Sequence, residues 1–104
     1  MTNQSYKFRG GIWIGWLWAN SWPNVVLEVS QDSLILRDEM IHKEFKFSKG
    51  DITKIEIKKF FPIIGYCIRI HHNNKNYNER LFFGYPSFKF NKLLEALKEC
   101  DWLN

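Results

Sequence analysis

The order of hydrophobic and polar positions along the chain predicts seven short β-strands followed by one α-helix. The clearest strand lies at residues 52–57, where isoleucines on one face alternate with charged residues on the other, as in an antiparallel strand with one side in solvent. Residues 19–24, rich in asparagine, serine and proline, predict a turn, and residues 59–65 predict an apolar loop. Because helices do not alternate with strands, a parallel doubly wound sheet is disfavoured. The predicted strands cover residues 6–18, 25–29, 34–36, 42–47, 52–57, 66–70 and 79–83.

The C-terminal segment changes to helical spacing. Ser87 is the expected N-cap, because its hydroxyl can accept a hydrogen bond from an early helix amide. We expect the helix to end near Glu99 or Cys100, with Trp102 and Leu103 folded back on the core. Such a helix would close one end of an antiparallel sandwich or barrel. Its hydrophobic stripe consists of Phe90, Leu93, Leu94, Leu97 and Cys100.

The composition is that of one globular domain. The 104 residues are enough for a single domain, with residues 1–5 expected to be disordered and residues 6–104 to fold. Hydrophobic residues make up 45% and aromatic residues 17% of the chain, so the rings can fill a core and still leave some at a surface. The formal net charge of +4 is spread along the chain without a compact basic tail, which is weak support for an anionic partner.

The sequence carries no targeting segment that we recognise. Its N-terminus lacks the pattern of a signal peptide, and the longest aromatic-apolar stretch, residues 12–18, is far shorter than the ~20 residues that a membrane span needs. We therefore expect a cytoplasmic protein whose two cysteines are free thiols.

The order of elements resembles a pleckstrin-homology-like (PH-like) domain, and more narrowly small bacterial PH-like proteins of poorly defined function. The resemblance implies seven antiparallel strands in two near-orthogonal sheets, a sandwich or partly open barrel capped by the C-terminal helix. Some PH domains bind inositol phosphates through lysines and arginines of the first hairpin; residues 13–24 here contain neither, so that activity is not implied. The residues that carry the resemblance are 8–12 (FRGGI), 20–23 (NSWP), 27–29 (LEV), 51–56 (DITKIE), 65–72 (GYCIRIHH), 81–83 (LFF) and 92–97 (KLLEAL).

Four tryptophans crowd the first predicted hairpin. They fall on both faces of one strand, where they are hard to bury together. One interpretation is that they fill the core; the other is an exposed contact surface for a partner. We expect a non-catalytic interaction domain that binds another protein or a second copy of itself, because large rings supply much of the binding energy at interfaces. The expected protein-binding residues are Trp13, Trp16, Trp18, Trp22, Phe60 and Phe61.

The segment Lys58–Ile64 supports an alternative function, binding to an anionic membrane surface. It joins basic residues to an apolar loop that can enter the headgroup region. The competing interpretation is a hairpin loop folded over the end of the core. The expected lipid-binding residues are Lys58, Lys59, Phe60, Phe61 and Ile63.

Basic residues interleaved with rings raise a further interpretation, a stripe that binds single-stranded nucleic acid. No motif typical of nucleic-acid-binding folds accompanies them, so a solvated lysine face is favoured and nucleic acid is not an expected partner. The residues concerned are Lys43, Lys46, Lys54, Lys58, Arg69 and Arg80.

No group of residues in the sequence forms a recognisable catalytic or metal site. The adjacent His71 and His72 point to opposite faces of a strand and cannot readily share a metal. Cys67 and Cys100 fit buried positions better than a nucleophile or a disulfide. We therefore expect no enzyme activity, cofactor, metal or small-molecule substrate, and an enzyme with an unrecognised site is the least favoured alternative.

Overall fold

Within the residues that the structure describes, seven antiparallel strands form one curled, partly open sheet, a half-barrel, followed by an α-helix. The computed structural model describes residues 5–15, 18–60 and 65–103, without the side chains of residues 18, 20–23, 59, 60, 65 and 87. The predicted mainly-β class with a C-terminal helix is confirmed. The elements are β1 (Ser5–Ile14), β2 (Trp18–Ser30), β3 (Ser33–Asp38), β4 (Lys43–Ser48), β5 (Ile52–Phe60), β6 (Gly65–His72), β7 (Leu81–Pro86) and α1 (Phe90–Glu99), with 3-10 turns at Lys49–Asp51 and Ser87–Lys89.

The strands are hydrogen-bonded in the order β4-β3-β2-β1-β7-β6-β5, so β4 and β5 are the two edges of the described sheet. β1 pairs with both β2 and β7, which joins the two ends of the β-section at the centre of the sheet. β1 already includes Ser5, which pairs with Ser30. We call the face that packs on α1 the inner face and the opposite one the outer face.

The first hairpin turns earlier than the sequence predicts. β1 ends at Ile14 and β2 begins at Trp18, so residues 19–24 belong to a strand and the predicted turn there is wrong. Gly15 lies in the turn, and its φ of 60° is a left-handed conformation that glycine adopts without strain. Its amide donates a hydrogen bond of 2.8 Å to the carbonyl of Arg80, which ties the hairpin to the segment before β7.

The turn-like composition of residues 19–24 coincides with an irregularity in β2. Gly10 pairs with Val25 and Ile12 pairs with Asn20, so the register advances by two residues on β1 and by five on β2. Extra residues in one strand bend it and increase its twist. The irregularity lies at the centre of the strand order, where it contributes to the curl of the half-barrel.

β5 extends further than predicted. It reaches Phe60, so Lys59 and Phe60 lie in a strand and not in a loop, and their backbones pair with Tyr66 and Gly65 of β6. Residues 61–64, the rest of the predicted loop, lie outside the described residues.

The core lies between the inner face and α1. The stripe predicted for the helix is confirmed at Phe90, Leu93, Leu97 and Cys100, whereas Leu94 is only partly buried. Each large apolar side chain that is fully buried in this way contributes about 1.5–3 kcal/mol to folding. The fully buried residues of the sheet include Ile12, Leu27, Leu34, Leu36, Phe45, Phe47, Ile68, Ile70, Leu81 and Phe83.

The start of the helix differs from its prediction. α1 begins at Phe90 with Lys89 in the N-cap position and no side-chain hydrogen bond to the cap. The prediction of Ser87 as N-cap is therefore wrong, because Ser87 opens the 3-10 turn that precedes the helix.

The C-terminal tail folds back on the core as predicted. Trp102 is 8% exposed, and its indole Nε1 donates a hydrogen bond of 2.7 Å to the carbonyl of Ser30. The ammonium group of Lys49 lies 4.5 Å from the centre of the Trp102 ring and also bonds to the carbonyl of Cys100. The end of the helix is thereby held against β2 and the turn before β5.

Candidate functional site on the outer sheet face

One row of directly paired residues crosses the outer face of four neighbouring strands. Trp13 pairs with Phe82, Phe82 with Arg69, and Arg69 with Glu56. Direct partners in antiparallel strands have their side chains on the same face of the sheet. We call this surface the aromatic–arginine face and define it by Trp13, Phe82, Arg69, Arg80, Glu56, Lys54 and Lys58.

The centre of the aromatic–arginine face is the ring of Phe82 with two arginines against it. The guanidinium carbons of Arg69 and Arg80 lie 5.6 and 5.7 Å from the centre of this ring. Each such contact contributes about 0.5–1 kcal/mol where it is exposed and more where it is shielded from water. All three side chains are partly buried, so the ring and the two cations form one preorganised group.

Trp13 adds a second ring to the aromatic–arginine face. Its indole lies against Gly84, where an added Cβ would come within 2.9 Å of Cζ3. The ring is partly buried and lies on the outer face, away from the core between the sheet and α1. For the other expected anchors, Trp16 and Phe61 and the side chains of Trp18, Trp22 and Phe60 lie outside the described residues.

The charge of the aromatic–arginine face is predominantly positive. Lys54 and Lys58 are exposed on β5, and Arg69 forms no ion pair with any described residue. Its Nε atom is buried and also lacks a hydrogen-bond partner among the described residues. Glu56 is the one carboxylate that the described part of this surface includes, and its Oε1 lies 2.8 Å from Nε2 of His71. That hydrogen bond lowers the pKa of Glu56, with smaller contributions from Lys58 and Lys54.

In the other half of the sheet, the arginines form ion pairs with glutamates. The guanidinium of Arg37 bonds to the carboxylates of Glu44 at 3.0 Å and Glu28 at 3.2 Å, and Arg9 bonds to Glu39 at 2.9 Å. Arg9 and Arg37 are thus paired with carboxylates of the chain itself, in contrast to Arg69. An arginine without a carboxylate partner among the described residues can bind an acidic group, which makes the aromatic–arginine face the candidate site.

The basic residues that the sequence grouped into one stripe are divided by the structure. Lys54, Lys58, Arg69 and Arg80 share the aromatic–arginine face. Lys43 and Lys46 lie on β4, at the opposite end of the strand order. The sequence therefore identified the cations but not the ring of Phe82 between them, whose role depends on the register of β6 against β7.

An exposed ring lies near the start of β6, the strand that follows the segment proposed for lipid binding. Lys58 is exposed, while the side chains of Lys59 and Phe60 and all of residues 61–64, including Ile63, lie outside the described residues. Gly65 pairs with Pro86, which brings the start of β6 to the end of β7. There Phe88 is 82% exposed, with the ammonium group of Lys89 at 5.6 Å from its ring centre. The only sequence signal for Phe88 is that it falls outside the helix stripe.

The two histidines point to opposite faces, as predicted. His71 lies on the outer face against Glu56. The ring of His72 packs against Phe47 at 5.0 Å between centroids, its Nδ1 accepts a bond from the Asn74 amide, and its Nε2 faces the Asn78 carbonyl at 2.8 Å. This pattern fits a neutral imidazole with its proton on Nε2, which binds a loop rather than a metal. Within the described residues, no three histidine, cysteine or acidic side chains group as metal ligands would.

The two cysteines are buried free thiols, as predicted. Cys67 and Cys100 are each 3% exposed, and burial raises the pKa of both thiols. A buried thiol with a raised pKa remains protonated at neutral pH and is a poor nucleophile.

An open cleft of about 460 Å³ lies at the end of the β3–β4 hairpin. Its side chains have structural partners: Asp38 is fully buried and accepts a bond from the Met40 amide, and Glu39 and Glu44 bond to arginines. These carboxylates could in principle serve as acids or bases, but each of them already forms a hydrogen bond or ion pair that stabilises the hairpin. The cleft is lined by Arg37, Asp38, Glu39, His42, Lys43 and Glu44.

In comparisons with known proteins, neither a protein-family model nor a curated protein matches the sequence. No helix among the described residues is long and apolar enough to cross a bilayer.

Proposed function

We propose that this chain is a non-catalytic binding module whose aromatic–arginine face docks an acidic surface of a protein partner. The observation that carries the proposal is that two guanidinium groups lie near the ring of Phe82, at 5.6 and 5.7 Å from its centre. The seven-strand order with a C-terminal helix supports assignment to the PH-like folds. The two free thiols support a reducing compartment, the cytoplasm.

The chemistry of the aromatic–arginine face matches that of interface hot spots. Tryptophan and arginine are the residues that most often dominate binding energy when they are shielded by their neighbours. A carboxylate that binds the guanidinium of Arg69 would form a charge-assisted hydrogen bond with a cation that has no ion pair with any described residue. Trp13 and Phe82 provide apolar area beside that contact, so the partner surface should combine acidic and apolar side chains.

A different protein fits this surface better than a second copy. The glutamates on the outer face of the other sheet half, Glu28, Glu39 and Glu44, are already bonded to this chain's own arginines. Using them in a dimer would require those ion pairs to break. Self-association therefore becomes an outcome of the test rather than its premise.

The test measures binding of a partner isolated from the native host. Proteins retained by the immobilised chain are identified, purified and titrated against the wild type and the Arg69→Gln/Arg80→Gln variant. We expect the variant to lose about tenfold or more in affinity. The charge-matched control Lys46→Gln/Lys75→Gln, which changes exposed lysines elsewhere, should keep wild-type affinity. Equal affinity of all three chains, or a partner that is only a second copy, would refute the proposal.

A second candidate function, contact with an anionic membrane surface, is favoured by one observation. Phe88 is 82% exposed beside Lys89, close to the end of β5 that carries Lys58. A ring with adjacent cations is suited to the headgroup region of an anionic bilayer.

Co-sedimentation with phosphatidylserine vesicles tests this second function. We expect binding that Phe88→Ser weakens and that Met40→Ser, at a 63% exposed residue of another turn, leaves unchanged. A Phe60→Ala/Phe61→Ala variant tests whether the segment Lys58–Ile64 also contributes to vesicle binding. Wild-type binding of both the Phe88 and the Phe60/Phe61 variants would exclude this end of the molecule as the membrane contact.

A further inference from the structure

His71 lies among the charged groups of the aromatic–arginine face. Its direct partner on β5 is Lys54, and Arg80 lies alongside it where the pairing of β6 with β7 ends. Arg69, two residues earlier on β6, has its side chain on the same face of the sheet. The side chain of His71 is 28% exposed, so a ligand that docks on this face comes close to the imidazole.

The carboxylate of Glu56 is held by His71 rather than by its direct cross-strand partner. Glu56 pairs with Arg69, a position in which opposite charges attract each other across strands. Its Oε1 nevertheless lies 2.8 Å from Nε2 of His71, and this hydrogen bond lowers the pKa of Glu56, which keeps the carboxylate ionised in the neutral range. When His71 is protonated, its charge balances that carboxylate; when it is neutral, the carboxylate keeps its full negative charge beside Arg69.

The charge of His71 is therefore coupled to any acidic ligand on this face. Histidine is the side chain that ordinarily changes charge between about pH 5 and pH 8. Lys54, Arg69 and Arg80 oppose a further positive charge at this place, whereas Glu56 favours it. An acidic ligand adds negative charge and shifts this balance towards the protonated imidazole. By linkage, the protonated imidazole strengthens binding of the ligand by the same factor.

We infer that His71 makes the docking of an acidic partner on the aromatic–arginine face dependent on pH, with tighter binding when the imidazole carries a proton. The inference rests on the proposed function, because it concerns regulation of the same surface. One added charge near the ligand changes its affinity about threefold to tenfold. Since glutamates of a ligand remain ionised above about pH 5, the effect falls between about pH 5.5 and about pH 8.

The test measures binding of a synthetic glutamate-rich peptide that contains phenylalanine, and thus supplies both acidic and apolar side chains. Calorimetric titration of the full chain at about pH 5.5 and about pH 8 gives the affinities. We expect the wild type to bind about threefold or more tightly at the lower pH. Titrations in two buffers of different ionisation enthalpy also report the protons exchanged, and we expect net proton uptake on binding.

Three variants assign the effect to one histidine. His71→Gln retains a hydrogen-bond donor for Glu56 but cannot become charged, so it should bind weakly at both pH values without proton uptake. His71→Lys carries a permanent charge and should bind tightly at both pH values. The control His42→Asn removes an exposed histidine of the β3–β4 turn and should respond to pH as the wild type does. Asparagine tolerates the left-handed φ of 53° at that position.

The inference is overturned if the wild-type affinity is equal at both pH values, if the peptide binds at neither, or if His71→Gln retains the pH dependence. A His71→Lys chain that binds as weakly as His71→Gln would overturn it as well. Binding that Arg69→Gln/Arg80→Gln weakens but that does not change with pH would leave the proposed function standing without this regulation. Conversely, equal affinity of Arg69→Gln/Arg80→Gln and the wild type at both pH values would reject the proposed function itself.

Discussion

At the scale of single residues, glycines set how closely the central strands approach. An added Cβ at Gly10 would lie 2.1 Å from the carbonyl oxygen of Gly84 and 2.9 Å from Cζ of Phe83. Neither contact can be relieved by a small rotation, because one involves backbone and the other a fully buried ring. Gly50, in contrast, has no atom within 4 Å of such a Cβ.

We predict that Gly10→Ala lowers the free energy of unfolding by roughly 3 kcal/mol, the upper range for overpacking in a closed site. Gly50→Ala should change it by less than about 1 kcal/mol. Urea unfolding of both variants measures the difference. A similar stability of the two variants would contradict the close approach of β1 and β7.

A second feature at the scale of single residues is the hydrogen bond between Glu56 and His71. The folded-state pKa of Glu56 is lowered chiefly by its hydrogen bond to His71. A carboxylate with a lowered pKa stabilises the fold at pH values above its unfolded pKa, and this contribution is lost as the pH falls through the folded pKa.

We predict that His71→Leu raises the pKa of Glu56 towards its ordinary value. The part of the acid destabilisation that belongs to Glu56 should then shrink, because the folded and unfolded pKa values become more alike. Carbon-13 resonance of the Glu56 carboxyl reports the pKa, and urea unfolding at pH 7 and pH 3 reports the stability. An unchanged titration of Glu56 in the variant would show that the hydrogen bond is not formed in solution.

The sequence predicted the directions of the two histidines but not their contacts. The opposed directions of His71 and His72 follow from strand geometry alone, and the structure confirms them. The contact of His71 with Glu56 depends on how β5 is aligned with β6, which includes a register shift between Ile52 and Lys54. No local pattern specifies such a shift.

At the scale of elements, the periodicity of hydrophobic residues predicted several of the strands and the buried face of the helix. The strands at Leu34–Leu36 and Phe45–Phe47 and the helix stripe around Leu97 were recognisable because burial alternates with a period of two or 3.6 residues. The prediction of a turn at residues 19–24 was wrong because turn-forming residues such as proline can also lie at an irregularity within a strand. The observed turn contains Gly15.

The helix tests this account of the elements. Leu97 is fully buried in the core, whereas Phe88, in the turn before α1, is 82% exposed. We predict that Leu97→Ala lowers the free energy of unfolding by about 2–5 kcal/mol. Phe88→Ala should cost less than about 0.5 kcal/mol despite removing a larger side chain. Thermal or urea unfolding checks both, and a comparable loss in the two variants would mean that α1 does not close the half-barrel as described.

At the scale of the whole molecule, the order of strands creates the site. Trp13, Arg69 and Phe82 come from three strands that are distant in sequence, and they become neighbours because β7 pairs with both β1 and β6. The sequence predicted Trp13 as a contact residue and placed Arg69 in a possible basic stripe. It could not join them, because the ring of Phe82 between them belongs to β7, and the neighbours of β7 are set by the order of strands in the sheet.

The pairing of arginines with carboxylates also distinguishes two surfaces of the whole molecule. On the half formed by β1 to β4, Arg9 and Arg37 are bonded to the chain's own glutamates. On the half formed by β5 to β7, Arg69 packs on a ring and forms no ion pair with a described residue. The proposed protein partner, with an acidic and apolar surface, would account for this asymmetry.

Site-specific photo-cross-linking in the native host tests this central claim most directly. A benzoylphenylalanine replaces Phe82 in one chain and Phe88 in another, so that each substitution exchanges one aromatic residue for another. We predict a covalent adduct with a protein at position 82 that is lost in the Arg69→Gln/Arg80→Gln background and is absent at position 88. No protein adduct at position 82, or equal adducts at both positions, would contradict the claim that the aromatic–arginine face binds a protein.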